Sequence, residues 1–74
     1  MNGWRVENLG LIGAVEFSKE NMRLTWVDGQ WHLGTRAAQR VTTAVAPARS
    51  MAEARKIGTA FLVQYEAALT GEDS

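Results

Sequence analysis

Residues 22–34 have the sequence MRLTWVDGQWHLG, and they carry the strongest structural signal in the chain. At their centre, Asp28-Gly29 is typical of a two-residue hairpin turn, because both positions of such a turn need a positive φ. Apolar and polar residues alternate on each side of the turn, as they do in strands with one buried face. The segment therefore predicts two antiparallel strands joined by a tight turn.

The position of the turn also predicts the register of the hairpin. The expected cross-strand pairs are Val27 with Gln30, Trp26 with Trp31, Thr25 with His32, and Leu24 with Leu33. One face then carries only apolar side chains, from Met22, Leu24, Trp26, Trp31 and Leu33. The other face carries Arg23, Thr25, Gln30 and His32, together with Val27. We expect the first face to lie in the core and the second to form a polar surface.

Further strands are predicted on both sides of this hairpin. Residues 4–7 and 12–17 have strand character, and we expect residues 3–9 to pair with residues 11–17. The polar segment 18–21 predicts a turn. Residues 35–40 predict a loop or one helical turn, and the β-branched segment 41–45 predicts a strand that Pro47 ends. Together these segments indicate an antiparallel meander of three to five strands over residues 3–46.

The C-terminal part predicts one amphipathic helix at about 51–69. Ser50 is placed to cap it, and Glu53 lies three residues later, as in a capping box. Gly71 is suited to the C-cap. Apolar residues recur at helical spacing, namely Ala54, Ile57, Phe61, Leu62, Tyr65, Ala68 and Leu69. We expect this stripe to cover the apolar sheet face, giving one α+β domain of residues 1–74 with a short acidic tail at 71–74.

Composition limits the classes of function. The 74 residues are 46% hydrophobic, include no cysteine, and carry eight basic and eight acidic side chains. Without cysteine there are no disulfides, so we expect a cytoplasmic protein. No apolar run reaches the roughly 20 residues that span a bilayer, and the first ten residues do not resemble a signal peptide. Zero net charge argues against general attraction to nucleic acid or membranes and leaves little repulsion between copies.

The sequence predicts no catalytic residue, metal site or cofactor. His32 is the only histidine, and no carboxylate pair stands near it at ligand spacing. Glu7, Glu16 and Glu20 are expected near one another on adjacent strands, but surface carboxylates are common. The segment 10–13 (GLIG) is too short for a phosphate-binding glycine motif, and no helix follows it. No small-molecule substrate is indicated either.

The order of elements in residues 22–66 is strand, Asp-Gly turn, strand, strand, helix, with a tryptophan in an early strand and a helix that opens with SMAEA at 50–54. This order resembles the small three-stranded-sheet-plus-helix modules at the N-termini of tyrosine-type phage integrases, and the related AP2-like DNA-binding domains. Those modules bind DNA with the exposed sheet face. The resemblance implies that Arg23, Thr25, Gln30, His32 and Thr43 contact DNA here, and that the chain is encoded by a phage or mobile element.

Two functions follow as hypotheses. The first is a non-enzymatic accessory protein that binds another protein or a second copy of itself, which fits zero net charge and the lack of site chemistry. The alternative is a DNA-binding module that uses the exposed sheet face, with Arg36 and Arg40 assisting from the loop. The segment 36–56 supports this alternative because it holds five basic residues and one acid, Glu53.

Overall fold

An antiparallel five-stranded sheet and one helix make up the α+β fold in the computed structural model, which describes residues 3–71. The elements are β1 (Arg5–Leu9), β2 (Ala14–Lys19), β3 (Met22–Val27), β4 (Gln30–Thr35), β5 (Gln39–Thr42) and α1 (Met51–Gly71). The strands are ordered β1-β2-β3-β4-β5, so each strand lies beside its neighbour in sequence. The predicted meander and C-terminal helix are confirmed, except that α1 continues to Gly71, which was predicted as the C-cap of a helix ending at 69. The part of the predicted acidic tail after Gly71 lies outside the described residues.

The central hairpin has the predicted register. Trp26 lies opposite Trp31, Thr25 opposite His32, Leu24 opposite Leu33, and Val27 opposite Gln30. Both turn residues adopt positive φ, 53° at Asp28 and 74° at Gly29. The turn residues and the alternation specify the same register, and a slip of one residue would move the apolar side chains to the other face of the sheet.

The outer strands differ from prediction at their ends. β1 pairs with β2 as expected, but β2 begins at Ala14, because Gly13 (φ 64°) and the Ile12 N–H bond to the Leu9 carbonyl (3.1 Å) close a turn over residues 10–13. The next turn is confined to Glu20 and Asn21 rather than spanning 18–21.

The last strand is displaced towards the N-terminus relative to its prediction. β5 covers Gln39–Thr42 instead of 41–45. It ends where the Thr42 hydroxyl accepts a hydrogen bond from the Ala44 N–H (3.1 Å), which turns the chain out of the ladder. The following segment then crosses the apolar face, where Val45 and Ala48 are buried and the Ala46 carbonyl accepts a bond from Trp31 Nε1 (2.9 Å).

The core lies between α1 and the apolar sheet face. Its fully buried centre consists of Val15, Phe17, Leu24 and Leu62. The line of closest approach on the helix is Ala54, Gly58 and Leu62, flanked by the half-buried Met51, Ile57, Phe61 and Tyr65.

The predicted stripe was wrong at its C-terminal end, where Ala68 and Leu69 are exposed. Glu66 bonds to Lys19, the last residue of β2, so the residues after Glu66 extend past the end of that strand.

The helix begins with the predicted cap, in a modified form. Ser50 Oγ accepts a hydrogen bond from the Glu53 N–H (3.1 Å). The Glu53 carboxylate, however, accepts its bond from the N–H of Arg49 (2.7 Å) rather than from that of Ser50. The hydrogen bond to the Glu53 side chain therefore comes from one residue earlier than in a standard capping box. It ties the loop before the helix to the first helical turn.

Candidate functional site

The sheet face opposite the helix is not covered by any other element formed by residues 3–71. The register aligns one residue from each strand across its middle, namely Glu7, Glu16, Thr25, His32 and Val41. A second row beside it consists of Arg5, Ser18, Arg23, Gly34 and Gln39. The face is polar, as the sequence predicted.

Only some of the predicted binding residues share this face. Thr25, Gln30, His32 and Arg23 do. Arg36 is exposed in the loop after β4, where its backbone N–H donates to the Asn21 carbonyl (2.8 Å). Arg40 belongs to β5 and lies opposite Leu33, which places it on the helix-covered face. The expectation that Arg40 lies in a loop was therefore wrong, because β5 begins earlier than expected.

Arg23 is also held differently from its prediction. Its side chain is half-buried rather than exposed. Arg23 Nη1 donates to two carbonyl oxygens of the β2–β3 turn, Glu20 (3.0 Å) and Met22 (2.9 Å). Nη1 is thus occupied by hydrogen bonds within the β2–β3 turn, and fewer N–H donors of Arg23 remain for a ligand.

The charges of the open face balance. Glu7 and Glu16 lie directly opposite each other, and the neighbouring row supplies Arg5 and Arg23. Two carboxylates and two guanidinium groups give these rows no net charge. A surface of this kind has no general attraction for the phosphate backbone of DNA.

Within residues 3–71, no group of three or more His, Asp or Glu side chains is arranged to hold a metal ion. Over the same residues, no helix has the length and apolar character needed to cross a membrane. The Thr25 hydroxyl is buried at the centre of the open face without a hydrogen-bond partner among these residues.

The tip of the β1–β2 hairpin is an apolar site that the sequence analysis missed. Leu11 is 103% exposed and Ile12 is 64% exposed, whereas the sequence pattern had placed Ile12 in a strand. The available signal was the apolar pair enclosed by Gly10 and Gly13. Because Gly13 takes the positive φ that closes the turn, both side chains remain outside the sheet.

A shallow apolar hollow of about 310 Å³ lies at the opposite end of the molecule. Trp4, Met22 and Tyr65 line it, next to an ion pair between Lys19 Nζ and Glu66 Oε2 (2.6 Å). The hydrogen bond and charge of Lys19 lower the pKa of the Glu66 carboxyl below its usual range, against desolvation, which raises it. The buried Trp4 indole N–H also lowers this pKa, although its geometry falls outside that of an ordinary hydrogen bond.

No protein-family model matches this chain, and no curated protein or solved structure matches it. The resemblance to integrase and AP2-like modules therefore stays a prediction. The open face, the apolar tip and the hollow are the candidate binding surfaces of the described residues.

Proposed function

We propose that this chain is a non-enzymatic protein-binding module that docks through the apolar tip formed by Leu11 and Ile12. The observation that carries the proposal is the exposure of these two side chains, one complete and one nearly two-thirds. Fully burying a large aliphatic side chain is worth about 1.5–3 kcal/mol. A partner that encloses both side chains therefore gains several times the thermal energy from the burial of two residues.

The hairpin presents the tip in a fixed conformation. Five residue pairs join β1 to β2, and the turn is closed by the Ile12 N–H bond to Leu9 and the Gly13 N–H bond to Gly10 (3.3 Å). A preformed loop loses less conformational entropy on binding than a flexible one. The tip is therefore suited to insertion into an existing pocket.

The surroundings of the tip indicate the character of that pocket. Arg55 of the helix bonds to Asn8, just before the tip, with 3.4 Å between Nη1 and Oδ1. An exposed cation thus stands beside two exposed apolar side chains. The complementary surface is an apolar pocket with an acidic rim, since rim charges of opposite sign steer association.

Site-specific photo-crosslinking tests this proposal. A photoreactive amino acid is placed at position 11 in one variant and, as a control, at position 63 in another. Val63 is a suitable control because it is an apolar residue, 49% exposed, on the outer side of the helix. In a lysate of cells that express the chain, position 11 should cross-link to a discrete protein that position 63 does not reach.

The double variant Leu11→Ser/Ile12→Ser completes the experiment with the purified partner. It should keep the melting temperature of the parent chain, because neither side chain is buried, and lose binding by at least tenfold. The single variant Val63→Ser should keep both properties. Equal binding by the tip variant and the parent would show that the tip is not the docking site.

DNA binding by the open sheet face is the second candidate. The observation that supports it is that Arg23, Thr25, Gln30 and His32 share that face. The negative charges of Glu7 and Glu16 on the same face argue against it. The test is gel retardation of random-sequence duplex at about 50 and 200 mM salt, since phosphate-driven binding weakens by orders of magnitude over that range. Absence of retardation at the lower salt would eliminate this candidate.

A further inference from the structure

The sheet has two edges, β1 and β5, whose outward backbone groups are unpaired within residues 3–71. An unpaired edge can accept another strand, and proteins usually guard such edges with prolines, bulges or charges. β1 has neither a proline nor a bulge in its register with β2. Its protection consists of two charged side chains, Arg5 and Glu7, which are both exposed and form no ion pair with the other described residues.

The order of residues in β1 makes this edge complementary to itself. When two copies of a strand pair antiparallel about a twofold axis, the residue on the axis lies opposite the same residue of the second copy. The residue before it then lies opposite the residue after it in the second copy, and the reverse. With Val6 on the axis, Arg5 of each copy lies opposite Glu7 of the other. Two ion pairs then form on one face and a Val6–Val6 contact forms on the opposite face.

Other registers of the same pairing are disfavoured by charge. An axis through Arg5 places two arginines directly opposite each other, and an axis through Glu7 does the same with two glutamates. Like charges directly opposite each other destabilise strand pairs. Among axes through the charged part of β1, only the one at Val6 brings opposite charges together.

The other edge lacks this complementarity. β5 has four residues, Gln39–Thr42, and its single charge is Arg40. An axis through Arg40 opposes two arginines, while an axis through Val41 leaves both arginines opposite Thr42. β1 is therefore the edge better suited to pairing with a second copy.

The helices leave room for such a pair. Helix α1 rests on β2, where Gly58 meets Phe17. In the paired sheet, β2 of the two copies would be three strand spacings apart, roughly 14 Å, which exceeds the 8–10 Å at which helices pack. Trp4 and Val6, half-buried in the single chain, lie in the intervening strip and would become more fully covered.

We propose that this chain forms a homodimer by antiparallel pairing of β1 with β1 of a second copy, centred on Val6 and selected by reciprocal Arg5–Glu7 ion pairs. A pair of five-residue strands buries less than the 1,200–2,000 Å² typical of stable interfaces. We therefore expect a weak dimer, with a Kd on the order of micromolar or above. This surface is separate from the Leu11–Ile12 tip, so either proposal can fail without the other.

Charge reversal tests the register directly. Arg5→Glu puts a carboxylate opposite Glu7 of the second copy, and Glu7→Arg puts a guanidinium opposite Arg5. Each variant alone should be monomeric in sedimentation velocity at concentrations where the parent chain dimerises. An equimolar mixture of the two should dimerise again, because every facing pair then carries opposite charges. Lys56→Glu is the control, since it makes the same charge change as Arg5→Glu on an exposed helix position and should leave the dimer intact.

A disulfide trap provides a second measurement that does not depend on charge. The chain has no cysteine, so Val6→Cys introduces a single thiol on the proposed axis. Directly opposed residues of an antiparallel pair have Cα atoms about 4.5–5.5 Å apart, within the range that a disulfide spans. Oxidation should convert Val6→Cys to a covalent dimer at least tenfold faster than the exposed control Val63→Cys.

The outcomes separate cleanly. Loss of dimer in both single reversals, recovery on mixing and selective trapping at position 6 would establish the pairing. A parent chain that stays monomeric up to millimolar concentration would overturn it. So would a dimer that persists in both reversals, or equal trapping at positions 6 and 63, because the copies would then associate through another surface.

Discussion

Gly58 of the helix faces the ring of Phe17 so closely that a Cβ at position 58 would overlap it, and Trp31 stands 3.1 Å from the same point. The absent side chain is what lets α1 approach the sheet along the line from Ala54 to Leu62. Phe17 and Trp31 in turn contact each other, with ring centroids 6.3 Å apart. At the position of Gly58, the helix therefore packs directly against two aromatic rings.

The first prediction concerns this contact. In an exposed helix interior, Gly→Ala stabilises by about 0.5–1 kcal/mol. Gly58→Ala should instead destabilise by about 1–2 kcal/mol net, because overpacking a filled core costs about 1–3 kcal/mol. Gly10→Ala in the β1–β2 turn is the control for a Cβ without obstruction, since a Cβ there meets nothing within 4 Å. Urea unfolding of the three proteins measures both changes, and a more stable Gly58→Ala protein would contradict the packing.

The second prediction concerns the β3–β4 turn. Gly29→Val should destabilise by about 1–3 kcal/mol, because a β-branched residue is strained at the φ of 74° that position 29 adopts. Asp28→Gly is the informative control, because glycine adopts the φ of 53° at position 28 without strain. Thermal melts should therefore show a clear loss in the first variant and a small change in the second. Equal losses would mean that side-chain contacts, not backbone conformation, hold the turn.

The third prediction concerns the helix N-terminus. Ser50→Ala should cost about 1 kcal/mol, because it removes the acceptor of the Glu53 N–H bond. Glu53→Ala removes the acceptor of the Arg49 N–H bond, whereas Glu53→Gln retains an oxygen there. Glu53→Gln should therefore be closer to the parent chain than Glu53→Ala when unfolding is followed by circular dichroism. The reverse order would show that the charge of Glu53 at the helix terminus matters more than its hydrogen bond.

Local chemistry explains which parts of the fold were predictable. Asp28-Gly29 and the alternation around it specify the central hairpin without reference to the rest of the chain, and Ser50 with Glu53 specifies the start of the helix. The packing role of Gly58 was not predicted, because the helical stripe was identified from apolar side chains and glycine has no side chain. Its importance follows from Phe17 and Trp31, which are distant in sequence.

The candidate surfaces were less predictable because each depends on where a strand begins or ends. β5 begins at Gln39, and this placement puts Arg40 on the opposite face from His32. Likewise, β2 begins after Ile12, and the tip therefore carries two exposed apolar side chains. A boundary error therefore assigns a residue to a loop when it belongs to one face of a strand, as for Arg40, or to a strand when it lies in an exposed turn, as for Ile12.

The last prediction concerns pH and the Lys19–Glu66 ion pair, which joins the end of β2 to the helix. Lys19 lowers the pKa of Glu66 in the folded chain, below the ordinary value of 4.5 that applies when the chain is unfolded. Above pH 4.5 the carboxylate is ionised in both states, and only the folded state gains the attraction of Lys19. As pH falls through the lowered pKa, Glu66 becomes protonated and this contribution is lost.

Glu66→Gln isolates the effect, because it retains the shape of the side chain and removes its charge. The parent chain should melt above Glu66→Gln at pH 7, and the difference should shrink below pH 4.5. Since both side chains are about one-third exposed, the difference should also shrink in high salt. Glu20→Gln removes a carboxylate at an exposed position of the neighbouring turn, and it serves as the control for loss of a negative charge at this end of the sheet. If Glu66→Gln melted at the same temperature as the parent chain at every pH from 7 to 3, packing around Trp4 and Tyr65, rather than the charge, would hold this end of the helix.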